Sequence, residues 1–277
     1  MNTILLSLIV MGGMGVFFAL FLLVSYKKLS VEEDPRVKTI EELLPGANCG
    51  ACGYPGCAAY AEAIVLEGAP INKCAPGGAE VVVEIGRIMG IEAEAKEPPV
   101  AHLMCQGSPD VAVQRSIYVG EPSCRVADFT TKGDKACTYG CLGLGDCVRV
   151  CPFNAMYMGE DNLPKIIEEN CTGCGLCVEE CPRDILALVP RDQKTFVACV
   201  NKDKGAISRK VCKVSCIACG LCVKKAPEGS MTMKDNLAVI LDYKQVDTKA
   251  EEVYSVCPTK AIELKGGVPA PAGAKDG

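Results

Sequence analysis

The chain opens with an unbroken apolar run. Its first 26 residues, MNTILLSLIVMGGMGVFFALFLLVSY, carry no charged side chain. As a helix, the stretch from Thr3 to Val24 would span roughly 33 Å, which is enough for a hydrocarbon layer of ~30 Å. The pattern therefore predicts a transmembrane anchor over residues 1–26. The alternative is a cleaved signal peptide, but such a peptide needs basic residues before the run and a small-residue cleavage site after it, and neither is present.

Basic residues follow the apolar run. They are Lys27, Lys28, Arg36 and Lys38. Under the positive-inside rule, they predict a single-pass protein of the cell (inner) membrane whose soluble region lies on the cytoplasmic side. The lipid bilayer is therefore an expected partner. A reducing cytoplasm also suits cysteines that bind metal and not one another.

A short amphipathic helix is predicted directly after Cys57. The proline-rich, acidic connection EAEAKEPPVA then indicates the end of a small domain near residue 101. Together with its linker, this cysteine-rich domain covers residues 27–101. The helix prediction rests on the apolar positions Ala58, Ala59, Ala61, Ile64 and Val65.

The remainder of the chain is repetitive. Four steps, CPFNAM, CPRDIL, APEGSM and CPTKAI, are each followed by a short alternation that predicts a strand. Each step looks like the end of one half of a ferredoxin fold. We therefore predict two tandem ferredoxin-like modules, at residues 102–198 and 199–265, and a disordered tail at 266–277. The expected fold class is α+β, with one transmembrane helix, a small cysteine-rich [4Fe-4S] domain and the two modules.

The composition points to metal. Twenty cysteines in 277 residues demand either disulfides or metal. Their tight, repeated spacings favour metal, and a chain of this length can bury a core without disulfides. Only one histidine, His102, is present, so any metal must be held mostly by thiolates. We expect His102 itself to be structural.

Three complete sets of metal ligands can be assigned by spacing. The small domain offers four cysteines for a [4Fe-4S] cluster, with a structural zinc knuckle as the alternative. In a ferredoxin fold, three cysteines of one half and the trailing cysteine of the other half hold one cluster. This crossing rule predicts one complete set in each module. The three sets are Cys49, Cys52, Cys57 and Cys74; Cys151, Cys171, Cys174 and Cys177; and Cys216, Cys219, Cys222 and Cys257.

One half of the second module has lost its cluster ligands. Asp247, Ala250, Val253 and Ala226 stand where the four cysteines would be. Because all four are absent together, we expect this half to survive as scaffold and the module to carry one cluster.

The opening half of the first module has lost only one ligand, at Leu144. We expect Cys137, just upstream, to replace it, and a three-iron cluster is the alternative. The sequence then predicts at least four [4Fe-4S] clusters. The remaining cysteines permit a fifth cluster, with free buried thiols or a zinc site as alternatives. The ligands of the cluster in this opening half would be Cys137, Cys141, Cys147 and Cys181. The cysteines left over are Cys105, Cys124, Cys199 and Cys212.

These features together resemble the B subunit of the Rnf complex, in the elongated form found in anaerobes. The resemblance rests on the apolar N-terminal helix, NCGACGYPGC with Cys74, KACTYGCLGLGDCVRVCPFNAM and CTGCGLCVEECP. It implies a membrane-anchored protein that accepts electrons from reduced soluble ferredoxin. The electrons would pass to the other Rnf subunits for NAD reduction, coupled to Na+ or H+ translocation. Leu144, Ala226 and Asp247 depart from the family pattern.

The chain itself is expected to carry electron transfer only, as one subunit of a translocase. It has no glycine-rich dinucleotide fingerprint after a strand and no nucleophile with a base. A second hypothesis is a membrane-tethered polyferredoxin that serves a formate dehydrogenase or a hydrogenase. A third is a zinc scaffold without redox activity. No nucleic acid is expected as a partner.

A basic patch lies in the second module. Between Cys199 and Lys234, eight basic residues stand against two acidic ones, in a chain of net charge −5. A solvated face is the alternative, since basic residues often do no more than that. We expect the patch to steer acidic soluble ferredoxin toward the cluster of this module. The residues predicted to bind ferredoxin are Lys210, Lys213, Lys224 and Lys225.

Overall fold

A single apolar helix begins the chain. A computed structural model describes residues 2–29, 34–93 and 97–265, and the predicted tail at 266–277 lies outside them. Helix α1 spans Asn2–Leu29, and within it Ser7–Lys28 is long and apolar enough to cross a membrane. None of that stretch is buried against the rest of the described protein. A helix that is apolar all round needs an apolar surrounding, so α1 fits the predicted membrane anchor.

Three helices build the small domain. They are α2 (Pro35–Leu43), α3 (Cys57–Leu66) and α4 (Gly78–Met89), and a 3-10 turn at Ala75–Gly77 leads into α4. The predicted helix after Cys57 is thus confirmed as α3. The core between the three helices is apolar and consists of Ile40, Leu44, Tyr60, Ala61, Ile64 and Ile85.

Helix α3 buries a slightly different face from the predicted one. Ala58 is exposed, whereas Tyr60 is fully buried. A tyrosine can be buried at low cost only where its hydroxyl is hydrogen-bonded. Here the hydroxyl donates to the carbonyl of Pro70 and accepts from the backbone N–H of Lys73, at 2.8 and 3.1 Å.

All four Cys-Pro-like steps lead into a strand, as predicted. The fourth residue of each step takes a left-handed backbone conformation, with φ between 50° and 75°. Glycine, asparagine and aspartate tolerate this conformation best, and three of the four steps carry one of them. The same tight turn therefore ends all four half-modules. The strands that follow the turns are β2 (Met156–Met158), β4 (Leu186–Val189), β6 (Met231–Lys234) and β8 (Ile262–Leu264).

The strands of the described residues pair in four antiparallel two-stranded sheets. In the first module, β1 (Val100–Leu103) pairs with β4, and β3 (Pro164–Ile166) pairs with β2. In the second, β5 (Thr195–Val197) pairs with β8, and β7 (Leu237–Ile240) pairs with β6. Strand β5 precedes residue 199, so the chain joins the second module slightly before the predicted boundary.

Short helices carry or adjoin most of the module cysteines. None exceeds seven residues within the modules as described. Packing around the cysteines, and not helix propensity, must therefore hold these helices in place. They are α5 (Cys124–Thr130), α6 (Asp146–Arg149), α7 (Leu176–Glu180), α8 (Gly205–Val211), α9 (Leu221–Lys225), α10 (Tyr243–Asp247) and α11 (Ala250–Ser255).

The half-module that lacks cysteines is filled by an apolar core. Val253 is fully buried, and Ala226 packs in the same core beside Val246. Asp247 lies at its edge, where Oδ2 accepts a hydrogen bond of 2.8 Å from the backbone N–H of Lys194. Side chains thus occupy the place of a cluster, which is what a retained scaffold requires.

Candidate metal centres

Site 1 is the cysteine group of the small domain. Burial raises the pKa of Cys74, and the neighbouring thiols of Cys57, Cys52 and Cys49 raise it further. Cys52, Cys57 and Cys74 also pack against one apolar core, so the structure brings the cysteines of site 1 together.

Two polar side chains fix the loops of site 1. Asn48 Oδ1 accepts a hydrogen bond of 2.8 Å from the backbone N–H of Cys57, at the start of α3. The buried Tyr60 hydroxyl accepts from the backbone N–H of Lys73, directly before Cys74. One anchor thus lies beside each end of the cysteine group.

Site 2 is a cavity of the first module. It follows the crossing rule, because Cys151 trails one half and the other three cysteines come from the other half. Burial raises the pKa of Cys177 to about 12, with a further contribution from its three partners. The backbone N–H of Ala101, on β1, donates to Cys171 Sγ at 3.4 Å. The cysteines that line the cavity are Cys151, Cys171, Cys174 and Cys177.

Site 5 is the equivalent cavity of the second module. It also follows the crossing rule, with Cys257 as the trailing cysteine. The backbone N–H of Ala261 donates to Cys257 Sγ at 3.2 Å. Of the twenty cysteines, all of which the structure describes, Cys219 is the exposed one. The cysteines that line the cavity are Cys216, Cys219, Cys222 and Cys257.

Site 3 contains the position of the lost ligand. The structure brings Cys124, and not Cys137, to the three cysteines that remain there. Burial raises the pKa of Cys147 to about 12, and the thiols of Cys124 and Cys181 raise it further. The leucine side chain cannot bind metal, but a backbone hydrogen bond from Leu144 reaches Cys124. The cysteines that line the cavity are Cys124, Cys141, Cys147 and Cys181.

A buried carboxylate holds Cys124 in site 3. Asp146 is 6 % exposed, and its Oδ2 accepts hydrogen bonds from Ser123 Oγ at 3.0 Å and from the backbone N–H of Cys124 at 2.8 Å. Its Oδ1 pairs with the Arg149 guanidinium. Asp146 directly precedes Cys147, so one residue joins two cysteines of the site that lie far apart in sequence. Cysteine spacing gives no signal for this carboxylate.

Site 4 lies between the two modules and includes Cys137. The backbone N–H groups of Gly107 and Cys141 both donate to Cys105 Sγ at 3.4 Å. Asn201 Nδ2 donates to Cys137 Sγ at 3.5 Å. Three of the four left-over cysteines therefore meet here, while Cys124 belongs to site 3. The cysteines that line this cavity are Cys105, Cys137, Cys199 and Cys212.

A sequence signal for site 4 existed in the offset between cysteines. Cys137 precedes Cys141 by four residues, and Cys212 precedes Cys216 by the same distance. The two upstream cysteines occupy equivalent places in the two modules, and both face site 4. The repeat therefore marks the junction of the modules.

Each of the five sites adjoins at least one other site. Cys49 of site 1 contributes to the raised pKa of Cys174 in site 2, after the larger effect of burial. Site 3 adjoins site 2, because the Cys177 thiol of site 2 lies near enough to Cys147 of site 3 to raise the pKa of Cys147. Sites 3 and 4 share the hydrogen bond to Cys105, and a backbone hydrogen bond from Cys216 of site 5 reaches Cys199 of site 4. The adjoining pairs are therefore 1 and 2, 2 and 3, 3 and 4, and 4 and 5.

The donor set fits iron–sulfur clusters. Among the described residues, no three His, Cys, Asp or Glu side chains converge closely enough for a single metal ion. The cysteines instead surround cavities, an arrangement that suits a cluster because each thiolate binds a different iron. His102 lines none of the four cavities of the modules and stacks on Phe196, with 3.8 Å between ring centroids. Burial lowers its pKa to about 4.

Two family models match this chain. An Fe-S cluster domain covers residues 44–76, which include site 1. A 4Fe-4S dicluster domain covers residues 135–185, which include all of site 2 and three cysteines of site 3. With the apolar helix and the mixed helices and strands, these matches confirm the predicted fold class.

Three relatives match nearly the whole chain. The B subunit of the Na(+)-translocating ferredoxin:NAD(+) oxidoreductase complex of Acetobacterium woodii is 45 % identical over 262 residues, which are 95 % of this chain and 78 % of the relative. The chain belongs to the family of Rnf complex B subunits. The proton-translocating counterpart of Clostridium ljungdahlii is 44 % identical over 95 % of this chain and 93 % of its own. The B subunit of the ion-translocating oxidoreductase complex of Methanosarcina acetivorans is 40 % identical over 96 % and 100 %. The family resemblance noted in the sequence is thereby confirmed.

Proposed function

We propose that this Rnf protein is the iron–sulfur electron-transfer subunit of an ion-translocating ferredoxin:NAD oxidoreductase complex, and that its cysteines hold five [4Fe-4S] clusters. The observation that carries the proposal is the division of all twenty cysteines into five adjoining groups of four. A bound [4Fe-4S] cluster supplies one-electron redox chemistry. The other Rnf subunits as partners, and the class of translocase, are supported by the names of the relatives.

The residues around the sites would hold and insulate the clusters. Backbone N–H groups of Ala101, Gly107 and Ala261 donate to cysteine sulfurs at 3.2 to 3.4 Å. Hydrogen bonds to cluster sulfurs are among the features that set a cluster's reduction potential. Burial raises the pKa of Cys141 and Cys199 to about 12. These thiols are protonated near neutral pH in the metal-free protein, so cluster loading would release protons.

We place the entry of electrons at site 5. Its Cys219 is exposed to solvent, and Leu221, two residues later, is a partly exposed apolar side chain. An exposed ligand shortens the distance to a docked partner, and an apolar centre with a charged rim is typical of a protein interface. Soluble ferredoxin is the partner that the names of the relatives suggest.

The basic patch supports docking of an acidic partner across sites 4 and 5. Lys210 and Lys213 flank Cys212 of site 4, and both are exposed. Lys224 and Lys225 form the last turn of α9, which carries Cys222 of site 5, and they are also exposed. Lys225 lies 3.3 Å from a carboxylate oxygen of Glu252, so its charge is partly neutralised.

Reversal of the patch tests this docking. A variant with Lys210→Glu, Lys213→Glu and Lys224→Glu should be reduced more slowly by reduced ferredoxin at low salt. The difference should shrink as salt screens the charges, because the screening length falls to ~8 Å at physiological ionic strength. Stopped-flow reduction at several salt concentrations measures both effects. A small neutral dye should reduce the variant at the unchanged rate.

A matched control reverses three lysines elsewhere, the exposed Lys38 and Lys132 and the half-buried Lys165. It changes net charge by the same amount and should leave most of the ferredoxin rate intact. Equal slowing in the two variants would mean that net charge, and not the patch, attracts ferredoxin. An unchanged rate in the patch variant would place the donor elsewhere, nearest to site 2.

We also propose that the soluble region lies on the cytoplasmic side of the membrane. Helix α1 carries no acidic residue in its first turn, and Lys27 and Lys28 lie in its last turn. The positive-inside rule assigns that end of the helix to the cytoplasm. Soluble ferredoxin would then reach the patch directly.

A further inference from the structure

Lys135 is a buried cation between sites 3 and 4. Only 4 % of the surface of Lys135 is exposed to solvent. The ammonium group donates hydrogen bonds to the carbonyl oxygens of Gly107, at 2.7 Å, and Cys141, at 2.8 Å. Cys141 is a site 3 cysteine, and Lys135 itself lines the cavity of site 4 beside Cys137 and Cys212.

This lysine has no acidic partner in the described part of the chain. No carboxylate oxygen there lies within ion-pair distance of its ammonium group. The adjacent Asp134 does not bond to it either, and Asp134 Oδ1 is buried without a hydrogen-bond partner. An unpaired buried charge is costly, whereas two carbonyl oxygens supply only partial negative charge. An anionic group in the site 4 cavity would offset that cost.

We propose that Lys135 is the countercharge of the cluster at site 4 and raises the reduction potential of that cluster. This inference rests on the proposed assignment of Cys105, Cys137, Cys199 and Cys212 to one cluster. Four thiolates give such a cluster a net negative charge, and one-electron reduction by the ferredoxin side of the complex adds one more. A fixed positive charge in a poorly screened interior favours the more negative, reduced state. Lys135 thus supplies a fixed positive charge beside the cluster and is not one of its ligands.

Substitution of Lys135 separates charge from packing. Lys135→Met removes the charge at similar length, and Lys135→Arg keeps it. Lys132→Met is the control, because it removes an exposed charge three residues away, from a lysine that pairs with Asp128. The full-length protein is reconstituted anaerobically, and each cluster is followed by electron paramagnetic resonance during a redox titration. The signal of site 4 is identified as the one lost in Cys212→Ser.

In Lys135→Met, the ratio of reduced to oxidised site 4 cluster at a fixed ambient potential should fall at least tenfold. For a one-electron couple this corresponds to about 59 mV toward lower potential. Lys135→Arg and Lys132→Met should stay close to the wild-type value. Loss of the site 4 signal in Lys135→Met but not in Lys135→Arg would also support a countercharge, because arginine keeps the positive charge that methionine lacks.

Two results would overturn the role of Lys135. One is an unchanged potential in Lys135→Met with the iron content intact. The other is loss of the cluster in both variants, which would indicate packing. Failure of the site assignment is recognised separately: Cys212→Ser would then remove no iron and no signal from the otherwise wild-type protein, and the inference would fall with it.

Discussion

Asp146→Ala is expected to release Cys124 from site 3. The carboxylate is buried, and it accepts hydrogen bonds from Ser123 Oγ and from the Cys124 backbone N–H while it pairs with Arg149. A hydrogen bond to a charged acceptor contributes roughly 1.5–3 kcal/mol. Loss of two such bonds should therefore destabilise the start of α5 by roughly 3–6 kcal/mol, since the donors are left partly buried. An opening that is easier by about 3 kcal/mol is populated more than a hundredfold more often.

The expected consequence is a labile fourth iron at site 3. The variant should convert that [4Fe-4S] cluster to a three-iron form under mild oxidant at least tenfold faster than the wild type, as followed by electron paramagnetic resonance. Asp161→Ala is the control, because Asp161 pairs with Lys165 in a half-exposed turn of the same module. Equal oxidation rates in Asp146→Ala and the wild type would refute the view that Asp146 secures Cys124.

Three further outcomes are expected. Cys137→Ser should remove the site 4 cluster and leave site 3 intact, and Cys124→Ser should convert or lose only site 3; identical spectra for the two variants would contradict the separation of these cysteines. Val253→Asp should lower the free energy of unfolding by roughly 3–5 kcal/mol, because it buries an unpaired carboxylate, whereas Leu241→Asp, at an exposed position, should change it by less than ~1 kcal/mol in denaturant titrations. A cytoplasmic reporter fused after Gly277 should be active and an exported phosphatase inactive, and the reverse pattern would place the soluble region outside the cell.

The grouping of the cysteines at sites 2 and 5 could be predicted because it depends on short-range spacing. The half-modules that begin at Cys171 and Cys216 each present three cysteines at fixed offsets, and all four half-modules end in the same tight turn before a strand. Asn154 and Asp184 adopt the left-handed conformation that this turn needs. Since the turn and the strand repeat, the partner of each cysteine triad follows from the register alone. The absence of cluster ligands around Val253 could be predicted for the same reason.

The exchange of Cys124 and Cys137 could not be predicted in this way. Cys137 is closer in sequence to the vacant position, but a connection of irregular structure separates β1 from α5, and sequence distance says little about where it runs. Asp146 decides the outcome through hydrogen bonds to Cys124 across more than twenty residues. The burial of Lys135 could not be predicted either, because a single lysine in a loop is expected to be solvated.

All twenty cysteines are proposed to bind iron, in five [4Fe-4S] clusters. Quantification of iron and acid-labile sulfide in the full-length protein, purified and reconstituted without oxygen, tests it most directly. We expect about twenty irons and about twenty sulfides per chain, four of each for every site. A saturated value of about sixteen or fewer irons, with no further gain on repeated reconstitution, would contradict it.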